Sequence, residues 1–449
     1  MSIIEARASK ACFITLGCKV NQAESEALAQ LLIQHGYIIV DESEEPDAII
    51  INTCTVTATG SGKSRKTIRK IVKDHPNSTV VVMGCYSQLN PAEVAELEGV
   101  DLIVGTQDRL KVVEFLLARR EQTVTAVPDS PRRPVQAVKA FTENTVYEEL
   151  PLVEKTNRAR AMLKIQDGCS QFCTYCIIPY ARGPSRSRDP QSIISEAEKL
   201  LNSGYKELVL TGIHIGAYGN DLSPKISLTD LIKRLLELKN IKRLRLGSIE
   251  PLEFTDELLE LAATSEVICP HFHIPLQSGS DRILAKMKRP YTTAEYAELL
   301  ARIRKRLPEA AIAADVMTGF PGETEQDHQT SLEFIAGCNF AGIHVFPYSR
   351  RSGTPAAEMP DQIPKNVKAA RVRDILKIGL KSRHNYIEKF LGRKMEVLLE
   401  QVNPDEIRGH TRNYLDLRLP PELNPGNWQP GDLVECVLRK EYLTEMKEL

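Results

Sequence analysis

Apolar residues near the start of the chain form short β-branched runs, separated by segments with helical spacing. The runs Phe13–Leu16, Ala48–Ile51 and Val80–Met83 are short and almost uniformly apolar, which predicts buried strands. Between them, Glu24–His35 and Lys63–Lys73 carry apolar residues at the spacing of amphipathic helices. Alternating strands and helices predict an α/β domain with a parallel sheet, which we assign to residues 10–121.

A second series of apolar runs alternates with helical segments over residues 158–386, after a proline-containing stretch at 122–157 that predicts a linker. Six strand–helix units predict a partial (βα)6 barrel, whose functional residues should follow the strands. The predicted strands are Met162–Ile165, Glu207–Leu210, Arg243–Leu246, His271–Ile274, Ala311–Val316 and Gly342–Phe346.

The pattern changes again over residues 387–449, where short runs are broken by Pro, Asn and Gly. Met395–Leu399, Leu415–Leu417 and Leu433–Leu438 predict strands of a small antiparallel β-barrel. Barrels of this kind often bind nucleic acid.

Length and charge narrow the class of protein. The 449 residues exceed what one core usually supports, and 42% hydrophobic residues are typical of a globular chain. A formal net charge of −1 gives no overall basic field, so a nucleic-acid partner would need local basic patches. No apolar run approaches the roughly 20 residues of a membrane helix, and we find no signal peptide. We therefore expect a cytoplasmic protein without a membrane partner.

Three of the ten cysteines lie close together at Cys169, Cys173 and Cys176. Thiolates hold iron–sulfur clusters, and three ligands on one loop leave one iron of a 4Fe–4S cluster open. The alternative, a structural zinc site, normally has four protein ligands.

Three more cysteines each follow a predicted strand of the first domain, at Cys18, Cys54 and Cys85. The carboxyl ends of parallel strands meet at one edge of a sheet, so these thiols are expected to converge. The alternative is three separate buried core thiols.

The motif Cys169-x-x-x-Cys173-x-Tyr175-Cys176 resembles the signature of the radical S-adenosylmethionine superfamily. The resemblance implies that these cysteines hold a 4Fe–4S cluster whose open iron chelates S-adenosylmethionine. Electron transfer then cleaves the sulfonium and produces a 5′-deoxyadenosyl radical.

The segments around Cys18, Cys54 and Cys85 resemble the N-terminal domain of methylthiotransferases, and residues 387–449 resemble their TRAM domain. This resemblance implies a second 4Fe–4S cluster, held by those three cysteines, that carries or donates sulfur. It also implies a tRNA substrate and an electron donor such as flavodoxin or ferredoxin.

Within that family, the segment Leu210–Gly219 resembles the branch that acts on threonylcarbamoyladenosine in tRNA. The implied reaction converts C2–H of N6-threonylcarbamoyladenosine beside the anticodon to C2–SCH3. Alternatives are isopentenyladenosine in tRNA, a ribosomal-protein aspartate or, from another class, a non-enzymatic metal-bearing RNA-binding protein.

Further candidate residues follow from strand ends and basic helices. We expect a cofactor pocket near Tyr175, Gly212, Glu250, Gln277 and Gly319. Candidate substrate contacts are His214, Tyr218 and Arg350, with Lys66, Arg69 and Lys70 as phosphate contacts. His271 and His273 share a strand face, but the sequence shows no third ligand, so we expect them to line the core or the pocket.

Overall fold

The computed structural model describes residues 8–122, 133–150 and 158–443. Spatial contacts divide the chain into two compact units. Of the described residues, the first contains 8–122 and 133–150 together with Asp167–Gln171 and Cys176–Arg186. The second contains residues 158–166, Phe172–Tyr175 and residues 187–443.

The first unit is built on a six-stranded parallel sheet, as the apolar runs predict. In the order β2-β1-β3-β4-β5-β6, its strands pair in parallel throughout. They are β1 (Lys10–Thr15), β2 (Ile38–Ile39), β3 (Ala48–Thr53), β4 (Thr79–Gly84), β5 (Leu102–Val104) and β6 (Val135–Ala137).

Helices complete the first unit and explain the uniformly apolar strands. On β4, Val81 packs into one hydrophobic cluster with Leu28, while Val80 packs into another with Ile68. Both faces of the sheet are therefore buried, as in parallel sheets generally. The helices are α1 (Lys19–Gln34), α2 (Ala58–Asp74), α3 (Cys85–Leu89), α4 (Pro91–Ala95), α5 (Lys111–Gln122) and α6 (Ile178–Arg182).

Two sequence-based boundaries differ from the structure. The predicted linker 122–157 contains β6, which adds to the edge of the sheet beside β5. Its three residues follow a proline and leave both Val135 and Gln136 exposed, so no apolar run marks the strand. The remainder of that prediction, 123–132 and 151–157, lies outside the described residues. Residues 167–171 and 176–186, expected in the barrel domain, group by contacts with the first unit.

The second unit contains the six predicted barrel strands. They form two three-stranded parallel sheets, β11-β10-β7 and β12-β13-β14, and β-bridges Leu244↔Ile268 and Ser248↔His273 connect the two. The strands are β7 (Ala161–Lys164), β10 (Glu207–Thr211), β11 (Arg243–Arg245), β12 (His271–His273), β13 (Ala311–Thr318) and β14 (Gly342–Pro347). The two-residue strands β8 (Gln166–Asp167) and β9 (Arg186–Ser187) lie at the boundaries between units.

Helices of the second unit follow the strands, as a βα series requires. Capping boxes begin three of them at Ser227, Thr292 and Thr324, where each hydroxyl accepts a backbone N–H three residues on. The helices are α7 (Pro190–Asn202), α8 (Leu228–Leu236), α9 (Asp256–Thr264), α10 (Asp281–Lys286), α11 (Thr293–Arg306), α12 (Glu325–Cys338), α13 (Pro355–Glu358) and α14 (Lys365–Glu388).

The C-terminal part of the second unit is a four-stranded antiparallel sheet in the order β17-β16-β15-β18. Its strands are β15 (Lys394–Val402), β16 (Ile407–Thr411), β17 (Asp416–Leu419) and β18 (Leu433–Val437). The sequence did not predict β16, because Arg408, Gly409 and His410 resemble turn residues. The sheet has its own apolar core, which includes Val397 and Leu417.

Buried charges attach this sheet to the barrel strands. Glu207 is fully buried, forms an ion pair with Arg245 at 2.8 Å and lies 3.2 Å from Nε2 of His410. Arg243 bonds Glu396 at 2.9 Å. Within the described ranges, no helix is both long enough and apolar enough to cross a membrane.

Candidate active site

The structure brings Cys18, Cys54 and Cys85 together beyond the ends of β1, β3 and β4. Cys18 caps the start of α1, and Cys85 is the first residue of α3. A Cβ added at Gly17 would lie 3.0 Å from Cys54 Cβ and 3.3 Å from its Sγ. Cys85 also interacts electrostatically with both Cys18 and Cys54, so the convergence expected from the strand ends is observed.

Electrostatics couple these three thiols. The pKa of Cys85 is raised to about 12, chiefly by burial, with smaller contributions from negative charge on Cys18 and Cys54. Burial also raises the pKa of Cys54. Because a metal ligand must be the thiolate, a cation has to displace these protons when it binds. The trio therefore suits metal ligation better than an isolated reactive thiol.

A buried guanidinium that the sequence analysis missed, Arg182, lies beside this trio. Its charge lowers the pKa of both Cys85 and Cys54. Arg182 donates to Glu24 and Asp167, each at 2.9 Å. No sequence signal identified it, because it follows Cys176 along the chain but packs within the first unit.

The second unit places a different arginine, Arg289, against a cysteine of the three-cysteine loop. Nη1 of Arg289 lies 3.2 Å from Sγ of Cys173, and the same guanidinium forms an ion pair with Glu250. Burial alone would lower the pKa of Arg289. Interactions with Tyr175 and Glu250 outweigh that effect, so the pKa of Arg289 is raised. Burial raises the pKa of Glu250. The candidates Tyr175 and Glu250 therefore lie in one charged cluster with Cys173.

Gln277 has the conformation expected of a ligand-binding residue. Its φ of 64° is in the left-handed region, and its backbone is held by bonds to Asp315 and Met317 at 2.8 Å each. The side chain is buried, and Oε1 has no hydrogen-bond partner among the residues that the structure describes. Backbone strain and a buried, unpaired acceptor are features that are enriched at functional positions.

Packing accounts for the two candidate glycines. A Cβ at Gly212 would lie 2.7 Å from Ile215 and 3.0 Å from the Gln166 amide oxygen. Gly319 has a φ of 69°, and a Cβ there would lie 2.2 Å from a carbon of Lys368. Both positions require glycine regardless of any ligand, so they shape the strand-end loops.

Two of the predicted substrate contacts, Tyr218 and His214, already have partners within the protein. Tyr218 lies in the hydrophobic core, 1% exposed, where its hydroxyl donates to the Arg188 carbonyl at 2.9 Å. In this structure the hydroxyl proton of Tyr218 is therefore used within the protein. His214 is buried, with Nε2 2.5 Å from Oε1 of Glu253. Arg350 is exposed. Burial raises the pKa of the nearby Tyr348, and the Arg350 charge offsets part of that rise.

The predicted phosphate contacts lie on α2, which begins four residues after Cys54. Lys66 and Arg69 are exposed. Lys70 is also exposed but forms ion pairs with Glu42 and with Asp74. A cationic face therefore exists near the first cysteine trio, and Lys70 is partly neutralised within it.

Two family models match separate parts of the chain. Residues 10–105 match the uncharacterized protein family UPF0004, and residues 163–335 match the radical SAM superfamily. A solved structure with a similar fold is the radical S-adenosylmethionine methyltransferase TsrM from Kitasatospora setae. The alignment has a TM-score of 0.58 and 16% identity, and covers 78% of this chain and 77% of that chain.

Several curated proteins are similar over most of the chain. Threonylcarbamoyladenosine tRNA methylthiotransferase MtaB of Bacillus subtilis is 42% identical, with coverage of 90% of this chain and 88% of that protein. The Aquifex aeolicus protein of the same name is 38% identical, with coverage of 96% and 100%. The tRNA-2-methylthio-N(6)-dimethylallyladenosine synthase of Pelotomaculum thermopropionicum is 36% identical, with coverage of 86% of each.

The fold and the three-cysteine loop define a radical S-adenosylmethionine enzyme, as the motif predicts. More specifically, the chain belongs to the tRNA methylthiotransferase family, in agreement with the sequence analysis. The non-enzymatic alternative is thereby excluded, and tRNA is the substrate class.

Membership of the superfamily implies a 4Fe–4S cluster and S-adenosylmethionine, and the observed residues fit both. The three thiols within eight residues of the chain are a ligand set for the cluster. The buried Gln277 oxygen, which has no partner among the described residues, is an acceptor suited to the cofactor. When bound, the cluster and S-adenosylmethionine together would supply one-electron cleavage of the sulfonium. Arg289 holds positive charge against Cys173 and positions Glu250 beside it.

Proposed function

We propose that this enzyme converts N6-threonylcarbamoyladenosine beside the anticodon of tRNA to its 2-methylthio derivative. The observation that carries the proposal is the 42% identity, over 90% of the chain, to a protein named for that substrate. The loop Leu210–Gly219, which resembles the same branch, adds support from within the chain.

In this proposal, Cys169, Cys173 and Cys176 hold the radical-generating cluster, and Cys18, Cys54 and Cys85 hold a second 4Fe–4S cluster that bears sulfur. The convergence of Cys18, Cys54 and Cys85, and the Arg182 charge that favours the thiolates of Cys54 and Cys85, support the role of this first cysteine trio as a ligand set. One S-adenosylmethionine supplies the methyl group and another supplies the radical.

Flavodoxin or ferredoxin is the proposed electron donor, because the radical step consumes one low-potential electron per cleavage. The cytoplasmic location expected from the sequence stays a prediction. Tyr175, Glu250 and Gln277 are proposed to line the cofactor pocket around Cys173.

Mass spectrometry of tRNA nucleosides, from cells with and without the gene, tests the substrate. The 2-methylthio form of threonylcarbamoyladenosine should disappear and its unmethylthiolated precursor should accumulate. If the 2-methylthio form of isopentenyladenosine disappears instead, the substrate assignment is wrong.

Two triple variants test the division of labour between the cysteines. The anaerobically reconstituted chain should hold about eight irons, four per cluster. Changing Cys169, Cys173 and Cys176 to Ala should remove about four irons and abolish S-adenosylmethionine cleavage. Changing Cys18, Cys54 and Cys85 to Ala should remove the other four irons. Cofactor cleavage should then continue without methylthiolated product.

The related alternative is isopentenyladenosine-tRNA, supported by 36% identity to a dimethylallyladenosine synthase. Purified enzyme assayed on tRNA carrying each N6 group separates the two. Equal rates on both tRNAs would contradict the threonylcarbamoyl assignment while leaving the family intact.

A further inference from the structure

Three potential metal ligands converge on neighbouring strands of the barrel. His273 is the last residue of β12, Asp315 lies within β13 and His344 lies within β14. Asp315 pairs directly with His344, and His273 pairs with Ala313, two residues before Asp315 on the same face. One donor atom from each residue lies within 4.8 Å of the other two.

This cluster lies on the side of the sheet that faces away from the main core. Alternate residues on the same strands, among them Phe272, Ala314 and Val345, pack into that core. The three polar side chains are instead partly or fully exposed. In a βα barrel, helices cover the outer face, so this cluster faces the interior where ligands are held.

The contact between His273 and Asp315 suggests a shared third partner. Nε2 of His273 lies 3.0 Å from Oδ1 of Asp315. That buried nitrogen nevertheless makes no hydrogen bond of acceptable geometry within the described part of the chain. An imidazole nitrogen and a carboxylate oxygen that lie this close without an aligned hydrogen bond are positioned so that one cation could bind both of them.

We propose that His273, Asp315 and His344 bind a divalent transition-metal ion. Two imidazoles and one carboxylate are a ligand set that zinc and ferrous iron accept, and they leave further coordination positions open. Ligand atoms at about 2.0–2.2 Å from a zinc ion lie closer together than 4.8 Å, so the three side chains draw closer together when the ion binds. The open positions face the barrel interior.

This site could not be predicted from the sequence. His271 and His273 share a strand face, and no third ligand was evident from the chain. The structure shows that His271 is not the partner, because it stacks on Tyr414 at a centroid distance of 4.8 Å. The second and third ligands come from β13 and β14, which no spacing rule connects to β12.

Zinc binding to the cluster-loaded, full-length protein tests the proposal. We would dialyse it anaerobically against Zn²⁺, remove free metal and measure zinc and iron by mass spectrometry. The wild-type chain should retain one zinc in addition to its iron. Asp315→Asn and His344→Gln should each weaken zinc affinity by at least about 10–100-fold, the loss seen when only an outer partner is removed. Their iron content should be unchanged.

His271→Gln is the matched control, because it removes a histidine from the same strand and face but outside the triad. It should retain zinc as the wild type does. The proposal is wrong if the wild type retains no zinc. It is also wrong if Asp315→Asn and His344→Gln retain as much zinc as the control. Neither result bears on the tRNA substrate, which is tested separately.

Discussion

Arg182 donates a 2.7 Å hydrogen bond to Oδ1 of Asn21, 161 positions earlier in the chain. Asn21 in turn donates to the carbonyls of Leu16 and Thr53, at 2.9 and 3.1 Å, and so connects the segments that carry Cys18 and Cys54. The arginine that follows the radical-SAM motif therefore supports the geometry of the first cysteine trio.

Arg182→Met should destabilise the first unit and reduce its cluster content. The change removes a positive partner from the buried carboxylates of Glu24 and Asp167. Removing one partner of a buried ion pair typically lowers the free energy of unfolding by about 3–5 kcal/mol. It also removes the positive charge that lowers the thiol pKa of Cys85. Chemical unfolding followed by circular dichroism, and iron analysis after reconstitution, measure the two effects.

Lys111→Met is the control for that experiment. Lys111 forms an exposed ion pair with Glu114 in the same unit, and such pairs contribute little. Arg182→Lys should be intermediate, because an ammonium keeps the charge but cannot reproduce the planar set of bonds. Normal stability and iron content in Arg182→Met would show that the network is dispensable.

Arg289→Met should make the radical-generating cluster harder to reduce. A donor to a ligand sulfur stabilises the more negative, reduced state, and bonds to charged groups are worth roughly 1.5–3 kcal/mol. If the bond is stronger in the reduced state by about half of this free energy, its loss lowers the reduction potential by roughly 30–60 mV. A redox titration followed by electron paramagnetic resonance measures this shift.

Glu250→Gln distinguishes the effect of net charge near the cluster from the effect of the hydrogen bond between Arg289 and Cys173. It keeps the guanidinium beside the sulfur and removes its counter-charge, so the potential should rise rather than fall. A fall in both variants would indicate general disruption of the site instead of a specific bond.

Sequence patterns recovered the elements whose apolar spacing is strong and missed those held by tertiary contacts. All six barrel strands were predicted, because each carries apolar residues toward the core. β16 was missed because Arg408 and His410 are polar, although His410 is buried against Glu207. Arg182 and Arg289 were missed for a similar reason: a buried arginine has the same sequence signal as a surface one.

Glu207→Gln should weaken the attachment of the C-terminal sheet in a pH-dependent way. Burial alone would raise the pKa of Glu207, but His410 and Arg245 outweigh it and hold the pKa well below its usual value. A carboxyl whose pKa is lower in the folded than in the unfolded protein stabilises the fold at pH values above the ordinary glutamate pKa of about 4.3. That stabilisation is lost as the pH falls toward the pKa of the folded state.

The variant should therefore cost about 3–5 kcal/mol at neutral pH, and its deficit should shrink in acid. Trp428, the single tryptophan, packs against the C-terminal core and reports its unfolding by fluorescence. Glu435→Gln, which breaks an exposed pair with Lys394, should cost less than about 1 kcal/mol at every pH. A pH-independent deficit for Glu207→Gln would contradict the ionised state.

Neutralising Lys66 and Arg69 together should weaken tRNA binding and reduce its salt dependence. Each phosphate contact contributes roughly 0.7–0.9 to the slope of log affinity against log salt, so the slope should fall by about 1–2. Lys70→Gln should have a smaller effect, because Lys70 already pairs with Glu42 and Asp74. Filter binding over a salt series measures the slope, and an unchanged slope would make α2 a solvent-facing helix only.

Selection of the N6 group is expected to depend on Arg350 rather than on His214. Threonylcarbamoyl carries a carboxylate that an apolar pocket would leave unpaired, at a substantial desolvation cost. Tyr218 is buried in the core, and His214 is engaged with Glu253, so neither is well placed to bind that carboxylate. Arg350 is exposed and cationic.

Arg350→Gln should therefore lower kcat/KM for threonylcarbamoyl-tRNA by roughly 10-fold or more, since a charge-assisted bond is worth about 1.5–3 kcal/mol. Activity on isopentenyl-tRNA, if detectable, should not fall. His214→Ala should lower both activities by the same factor, because the His214–Glu253 pair holds the loop without contacting the N6 group. If His214→Ala instead lowers only threonylcarbamoyl activity, then His214 contacts the substrate and Arg350 is not the principal determinant.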